Sequence, residues 1–301
     1  MTGKVPLITL NNGTKMPTLG FGVFQISPEQ TADAVERAIA NGYRLIDTAA
    51  AYLNERQVGE GIRRSGIDRP LIFVTTKLWM SDYGYESALR AFDVSLNKLG
   101  LEYVDLYLLH WPVPSDFEST VASYRAAEKL LTDRRARAIG VSNFSEKHLK
   151  NLMEHSRVIP AVNQVELHPF FIQRELRNAD KRLGVATQSW SPIGGVYSRK
   201  PLAAPKAAKG PLEHPIIIQL AAKYGKTPAQ VVLRWHIDHG LSAIPKSVRP
   251  ERIAENIDIF DFALSEDEIS AIDGLDTGKR AGTDPEIADS KTFNITVGSE
   301  K

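Results

Sequence analysis

Short apolar runs recur along this chain, spaced so that one helix fits between each pair. They fall at residues 19–23, 44–47, 71–76, 104–109, 137–141, 162–165, 185–189 and 241–244. The intervening stretches carry helical periodicity. In residues 85–98 and just beyond, Leu89, Phe92, Leu96 and Leu99 recur at spacings of three and four and form one apolar stripe. Residues 28–41 follow a capping Ser27 and present Ala34, Val35, Ala38 and Ile39 on one face. Ser145 starts a helix over 145–154, and Thr227-Pro228 is a cap followed by a first-turn proline. Short buried strands alternating with amphipathic helices require a largely parallel sheet. Eight of them favour a closed (β/α)₈ barrel over a doubly wound sheet.

Upstream of the alternation, VPLITL, Asn11-Asn12-Gly13 and TKMPTL read as a β-hairpin closing the bottom of the fold. The whole of 1–301 is read as one domain. The two weakest strands are the first and the last, and Gly20 and Gly22 weaken the first further. A dinucleotide-binding Rossmann fingerprint is not present, because Gly20-Phe21-Gly22 has no third glycine opening a helix. That glycine pair is read as close backbone packing at a barrel mouth.

Composition removes several classes. Apolar residues are 43% and charged residues 24%, with a formal net charge of +1, so no bulk field marks a nucleic-acid or membrane partner. The cysteine count of 0 excludes disulfides, thiolate metal sites and cysteine nucleophiles. The first twenty residues lack the continuous apolar core of a signal peptide, and no run suits a membrane span. A cytoplasmic location and a monomer are the expectations. No metal is expected, since His110, His148, His155 and His168 have no compact ligand spacing.

Four chemical residues lie at or just past strand ends: Asp47, Tyr52, Lys77 and His110. In a barrel those ends meet at one mouth. A carbonyl receiving hydride accumulates negative charge on oxygen and needs a proton or a strong hydrogen bond there. A free phenol titrates near 10, but a neighbouring ammonium lowers that value. Lys77 would play this part for Tyr52, Asp47 would balance Lys77, and His110 would hold the carbonyl oxygen. Taken singly, each has a plainer role: a helix cap, a half-buried aromatic, a surface cation, a structural histidine. The four together, each after a strand end, favour the chemical reading.

Longer motifs carry a resemblance. Asp47 to Glu55 reads DTAAAYLNE, and His110 opens HWP. IGVSNF spans 139–144, NQVELHPF spans 163–170, and IPKSVRPERIAEN spans 244–256. Together these resemble the aldo-keto reductase family over most of the chain. GFGVFQI and KTPAQVVLRW are similar to the bacterial branch that includes 2,5-diketo-D-gluconate reductases. The resemblance implies a barrel that binds NADP(H) across its C-terminal mouth and reduces a small carbonyl substrate, with Tyr52 as the acid. It implies that Ser142, Asn143 and Gln164 hold the nicotinamide carboxamide and that Trp190 stacks on the ring. Ser191, Pro192, Ile193 and Gly194 would run beside the pyrophosphate. Lys246, Ser247 and Arg252, with Val248 and Arg249 between them, would read a 2′-phosphate, and Glu255 and Asn256 the adenine. Several cations around a hydroxyl also suit such a phosphate on physical grounds.

Phe24, Trp79 and Trp111 match positions that build substrate walls. A C-terminal stretch from Asp276 onward, containing Gly278, Gly282 and Gly298, is expected to close part of the mouth. LAAPKAAK at 202–209 reads as part of a surface loop, and the lysines and arginine of residues 196–211 are open to three roles: contacting the cofactor, folding over it or facing solvent. Asp133-Arg134-Arg135-Ala136-Arg137 replaces the Gly-Lys approach of many relatives and is read as a solvated turn away from the chemistry. Two rival readings remain: a barrel that binds NADPH without catalysis, and an aldolase- or isomerase-type barrel using Lys77 as a Schiff base.

Overall fold

The computed structural model describes residues 5–195, 210–289, 291–293, 295 and 297. Eight parallel strands form its centre: β3 (Phe21–Gly22), β4 (Leu45–Asp47), β5 (Phe73–Leu78), β6 (Val104–Leu109), β7 (Ala136–Ser142), β8 (Val162–Glu166), β9 (Ala186–Trp190) and β10 (Ser242–Ala243). Each pairs with the next in chain order. A parallel bridge between Leu19 and Ala243 joins the last strand to the first, with Gly20 N–H donating to the Ala243 carbonyl at 2.9 Å. The sheet therefore curls into a barrel without an open edge. Strands β5 and β6 are buried along their whole length, as a sheet covered on both faces requires.

The two glycines that weaken the first strand sit at this seam. A Cβ on Gly20 would lie 2.2 Å from a Leu45 methyl, and one on Gly22 3.2 Å from the Ile244 carbonyl oxygen. The expected close packing is therefore what they provide. Residue 71 departs from expectation. Leu71 belongs to the 3-10 turn Arg69–Leu71 and is 60% exposed, and the strand starts two residues later. The proline-containing turn takes the first part of that apolar run, and at the other end β5 continues to Leu78, so Lys77 lies one residue inside it rather than at its end.

Helices alternate with the strands: α1 (Pro28–Ala40), α2 (Glu55–Arg64), α3 (Tyr85–Leu99), α4 (Phe117–Thr132), α5 (Glu146–His155), α6 (Arg174–Leu183), α7 (Pro215–Tyr224), α8 (Pro228–Asp238), α9 (Pro250–Ile257) and α10 (Glu266–Asp273). Ser145 and Thr227 close capping boxes at the starts of α5 and α8. Ser27 occupies the cap position of α1 but its side chain accepts no backbone N–H, so proline in the first turn opens that helix. On α3, Phe92, Leu96 and Leu99 are buried, as their stripe requires.

The hairpin consists of β1 (Leu7–Thr9) and β2 (Lys15–Pro17). Asn11 donates to the Pro160 carbonyl at 3.0 Å and Asn12 to the Arg137 carbonyl at 2.9 Å, fastening the turn across the starts of β7 and β8. Leu10 and Met16 pack with Leu45, Phe73, Leu106 and Val162. This plugs the N-terminal end of the barrel and leaves the C-terminal end as the mouth. Among the described residues, no helix is long and apolar enough to cross a membrane.

Candidate active site

Lys77 is fully buried, and its ammonium finds three partners. It donates to Asp47 Oδ1 at 2.7 Å, to the Thr48 carbonyl at 2.9 Å and to the Tyr52 hydroxyl at 3.3 Å. Burial, the largest influence, would depress the Lys77 pKa, but the Asp47 carboxylate and the Tyr52 oxygen together outweigh it and the net shift is upward. The amine is held as an ammonium beside the phenol. Tyr52 reaches it because β4 leads into the 3-10 turn Ala50–Tyr52, which ends on Leu53 in the left-handed region at φ 57°. Asn54 pins this turn by donating to the Val23 and Ile26 carbonyls while accepting from Thr48 Oγ1. Behind it, Glu55 accepts from Thr76 Oγ1 at 2.6 Å, tying the start of α2 to the strand that carries Lys77.

The His110 ring meets that of Tyr52 edge to face, with centroids 5.7 Å apart. Burial, then the Lys77 charge, drives its pKa well below the usual histidine value. His110 is therefore a neutral imidazole carrying one N–H. Trp79 stands 5.1 Å from it and Phe24 4.9 Å from Tyr52, centroid to centroid. Trp79, Trp111 and Phe293 form one aromatic cluster at this end of the mouth.

The same mouth continues past β7 to β9. Gln164 donates to Asp47 Oδ2 at 2.8 Å and to Gln188 Oε1 at 2.7 Å. Both its amide N–H bonds are used inside the barrel, so its carbonyl oxygen is the atom left for a ligand. Asn143, at φ 65°, donates to the His110 carbonyl at 3.0 Å and accepts from the Trp190 indole at 2.9 Å. The Ser142 hydroxyl donates to the Gln164 backbone carbonyl at 2.7 Å, leaving the side-chain oxygen Oε1 untouched. Ser191 has φ 50°, and the His236 ring fixes the next residue through the Pro192 carbonyl at 3.0 Å.

One cleft of about 830 Å³ joins these parts. Phe24, Asp47, Tyr52, Trp79, His110 and Trp111 line one end. Ser142, Asn143, Gln164, Trp190, Ser191 and Ile193 line the middle, and Lys246, Ser247, Val248, Arg249 and Arg252 the far end. Lys77 lies beneath the floor. Among the described residues neither Arg249 nor Arg252 has a carboxylate partner. Ser247 Oγ accepts the Arg249 N–H at 3.1 Å beside the start of α9. Glu255 and Asn256 lie outside this lining: the Glu255 carboxylate accepts from Thr227 Oγ1 at 2.6 Å, and Asn256 is buried. A larger cavity of about 1160 Å³ lies at the plugged end of the barrel and contains none of the four chemical residues. No cluster of described residues suits a metal ion.

Sequence reasoning did not single out Glu166, Tyr83 or Phe293. Glu166 is wholly buried at the end of β8 and accepts from Ala281 N–H at 2.9 Å and Gly282 N–H at 2.8 Å. It thereby fastens the C-terminal stretch across the mouth, where Ala281, Gly282, Thr283 and Phe293 join the lining. The available signal was a charge two residues beyond Gln164, on the same face of a buried strand.

Residues 10–277 match the profile described as the aldo/keto reductase family. The chain is 58% identical to morphine 6-dehydrogenase of Pseudomonas putida, over 97% of this chain and 99% of the relative. It is 44% identical to glyoxal reductase of Bacillus subtilis, over 93% and 96% of the two chains. Among solved structures, the Bombyx mori aldo-keto reductase in complex with NADP superposes with a TM-score of 0.85 at 37% identity, over 93% of this chain and 96% of that one. A shared family and a shared barrel with its mouth at the strand ends settle the assignment: the chain belongs to the aldo/keto reductase family.

Proposed function

We propose that this chain interconverts carbonyl compounds and alcohols by hydride transfer with NADP(H), Tyr52 acting as general acid in the reducing direction. The observation that carries the reading is the Lys77 ammonium held between the Asp47 carboxylate and the Tyr52 hydroxyl at the floor of the cleft. The residues present fit the cofactor. Arg249 and Arg252, without carboxylate partners among the described residues, suit the 2′-phosphate with Lys246 and Ser247 beside them. The Gln164 carbonyl and the Asn143 amide suit a carboxamide, and the Trp190 ring offers a face to the nicotinamide. Bound NADPH supplies the hydride.

The chain's own groups do the rest. His110, neutral, donates its ring N–H to the carbonyl oxygen and orients it. As charge grows on that oxygen, Tyr52 gives up its hydroxyl proton, and the Lys77 ammonium stabilises the phenolate left behind. Asp47 keeps Lys77 charged, which also argues against a Schiff-base enzyme, since that chemistry needs a neutral amine. The complete set of four argues against a barrel that only binds the cofactor.

Phe24, Trp79, Trp111 and Phe293 favour an uncharged, ring-containing substrate. Relatives named for morphine and for glyoxal are compatible with a tolerant apolar pocket. A 2,5-diketo-D-gluconate lineage remains the alternative, but its acid substrate would want a cation near Trp111. The described cations of the cleft, Lys246, Arg249 and Arg252, lie at its other end. The reading also takes the chain as one cytoplasmic domain, and as a monomer because the closed barrel leaves no sheet edge of its own to pair; sedimentation tests the oligomeric part.

The test is Y52F. It should bind NADPH like the parent, by fluorescence titration, and lose most of the single-turnover rate with an aromatic aldehyde. Turnover near that of the parent would remove Tyr52 from the role.

A further inference from the structure

The turn that follows β6 is held by hydroxyls and an amide from three separate parts of the chain. Asn143 donates to the His110 carbonyl at 3.0 Å, the Tyr83 hydroxyl to the Trp111 carbonyl at 2.6 Å, and Thr120 Oγ1 to the Pro112 carbonyl at 2.7 Å. Three consecutive carbonyls thus each have a side-chain donor. Tyr83 does more, because its oxygen also accepts the Trp111 N–H at 3.2 Å. One hydroxyl therefore serves both polar backbone groups of the residue that walls the cleft. Burial pushes the Tyr83 pKa up, so it stays a protonated donor.

The turn needs such a hold. Val113 sits at φ 43° and ψ 69°, in the left-handed region that a β-branched side chain avoids. Backbone of this kind persists only where its surroundings over-determine it, and it clusters at binding sites. Relaxing Val113 would swing the preceding residues, and Trp111 would leave its contact with Phe293, where the ring centroids are 5.0 Å apart. His110 is better protected: its N–H bonds back to the Leu78 carbonyl at 3.2 Å, and Asn143 holds its other end.

We propose that Tyr83 is a positioning residue that clamps Trp111 against the strain at Val113, and so sets the fit of bulky substrates without taking part in proton transfer. This rests on the carbonyl-reducing reading above. Small carbonyls, reaching only Tyr52 and His110, should not sense the clamp.

The experiment compares the parent, Y83F and T120V with NADPH and two carbonyls, glyoxal and the bicyclic ketone 2-tetralone. Y83F keeps the ring and loses only the hydroxyl. KM for 2-tetralone should rise about fivefold or more, the equivalent of one neutral hydrogen bond. The kcat and KM for glyoxal, and the NADPH dissociation constant, should stay within about twofold. T120V, which loosens the same turn through Pro112, should shift the ratio of the two KM values in the same direction, and it decides the matter if Y83F does not fold. Equal losses on both carbonyls, unchanged ratios, or a parallel loss of NADPH affinity would overturn the clamp. A parent protein that oxidises NADPH with neither carbonyl would overturn the functional reading, and the clamp with it.

Discussion

Gln164 reaches across the barrel to Asp47, its amide nitrogen 2.8 Å from the carboxylate oxygen that Lys77 does not use. Each Asp47 oxygen thus has its own donor, and the buried charge pair is closed. Removing one member should cost more than removing both, because a buried charge without a partner is the expensive state. K77M should lose about 3–5 kcal/mol of unfolding free energy, and D47N/K77M should regain most of it. Neither should regain the reduction rate. Urea unfolding of the three proteins, with single-turnover rates alongside, tests this. A K77M protein as stable as the parent would mean that the pair is not charged.

His110 should stay out of the physiological titration range. Its folded pKa is depressed by burial and then by Lys77, while in the unfolded chain it titrates near the ordinary value of about 6.5. Below that pH the unfolded chain takes up a proton that the folded one refuses. The stability contributed by this group is therefore full above about pH 6.5 and declines as the pH falls. The stability difference between the parent and H110Q should therefore shrink as the pH falls from about 6.5 toward about 5, read by urea unfolding. The rate of reduction should show no limb near pH 6.5 that H110Q abolishes.

Asp180 carries the opposite sign. Burial pushes its carboxyl up to about 7, against hydrogen bonds from Thr187 at 2.7 Å and Asn163 at 3.2 Å. Its contribution is full below the ordinary carboxylate value and lost as the pH rises through about 7. D180N should therefore gain on the parent as the pH goes from 5 to 8, read as the difference in melting temperature. Asn163 also bonds both the N–H and the carbonyl of Phe144, next to Asn143.

Much of this was legible in the chain because the elements are locally encoded. Strands covered on both faces give unbroken apolar runs, and each of the eight runs overlaps a strand; the run at 71–76 starts two residues early because Pro70 diverts it into a turn. Asp47, Lys77 and His110 could be placed because strand ends converge in any parallel barrel. Contacts between distant parts of the chain left no such trace. Glu166 meets Gly282 116 residues away, Tyr83 meets Trp111 28 residues away, and neither pairing has a period or a spacing. The Glu255 carboxylate likewise accepts from Thr227, 28 residues away. Residues 196–209 of the 196–211 stretch, and Gly298, lie outside the described residues.

The far end of the cleft makes a prediction about cofactor choice. Arg249 and Arg252 have no carboxylate partner among the described residues, and both line the cleft beside Ser247. A guanidinium that forks onto a 2′-phosphate is lost to NADPH when it is removed, whereas NADH has no group there to miss. R252A should weaken NADPH by about 1.5–3 kcal/mol and leave NADH nearly unchanged. The comparison is kcat/KM for both cofactors in the parent and the variant. Equal use of the two cofactors by the parent would refute the phosphate assignment.

The strap across the mouth hangs on Glu166. Its carboxylate takes the N–H groups of Ala281 and Gly282, and it is held below the usual glutamate range although burial opposes this, because His168 and those N–H groups favour the charged form. There is no room at the contact: a Cβ on Gly282 would sit 2.7 Å from the Glu166 carboxylate and 2.7 Å from the Trp190 ring. G282A and E166A should therefore release the same segment from opposite sides. Losing the charge-assisted bonds costs about 1.5–3 kcal/mol locally, enough to open the strap tens of times more often. Trypsin should then cut after Arg280, whose guanidinium now lies 4.9 Å over the Phe171 ring, far faster than in the parent. Because Phe293 rides on the strap and packs on Trp79 and Trp111, KM for a bulky ketone should rise in both variants. Unaltered cleavage after Arg280 in E166A would show that something other than this carboxylate holds the strap.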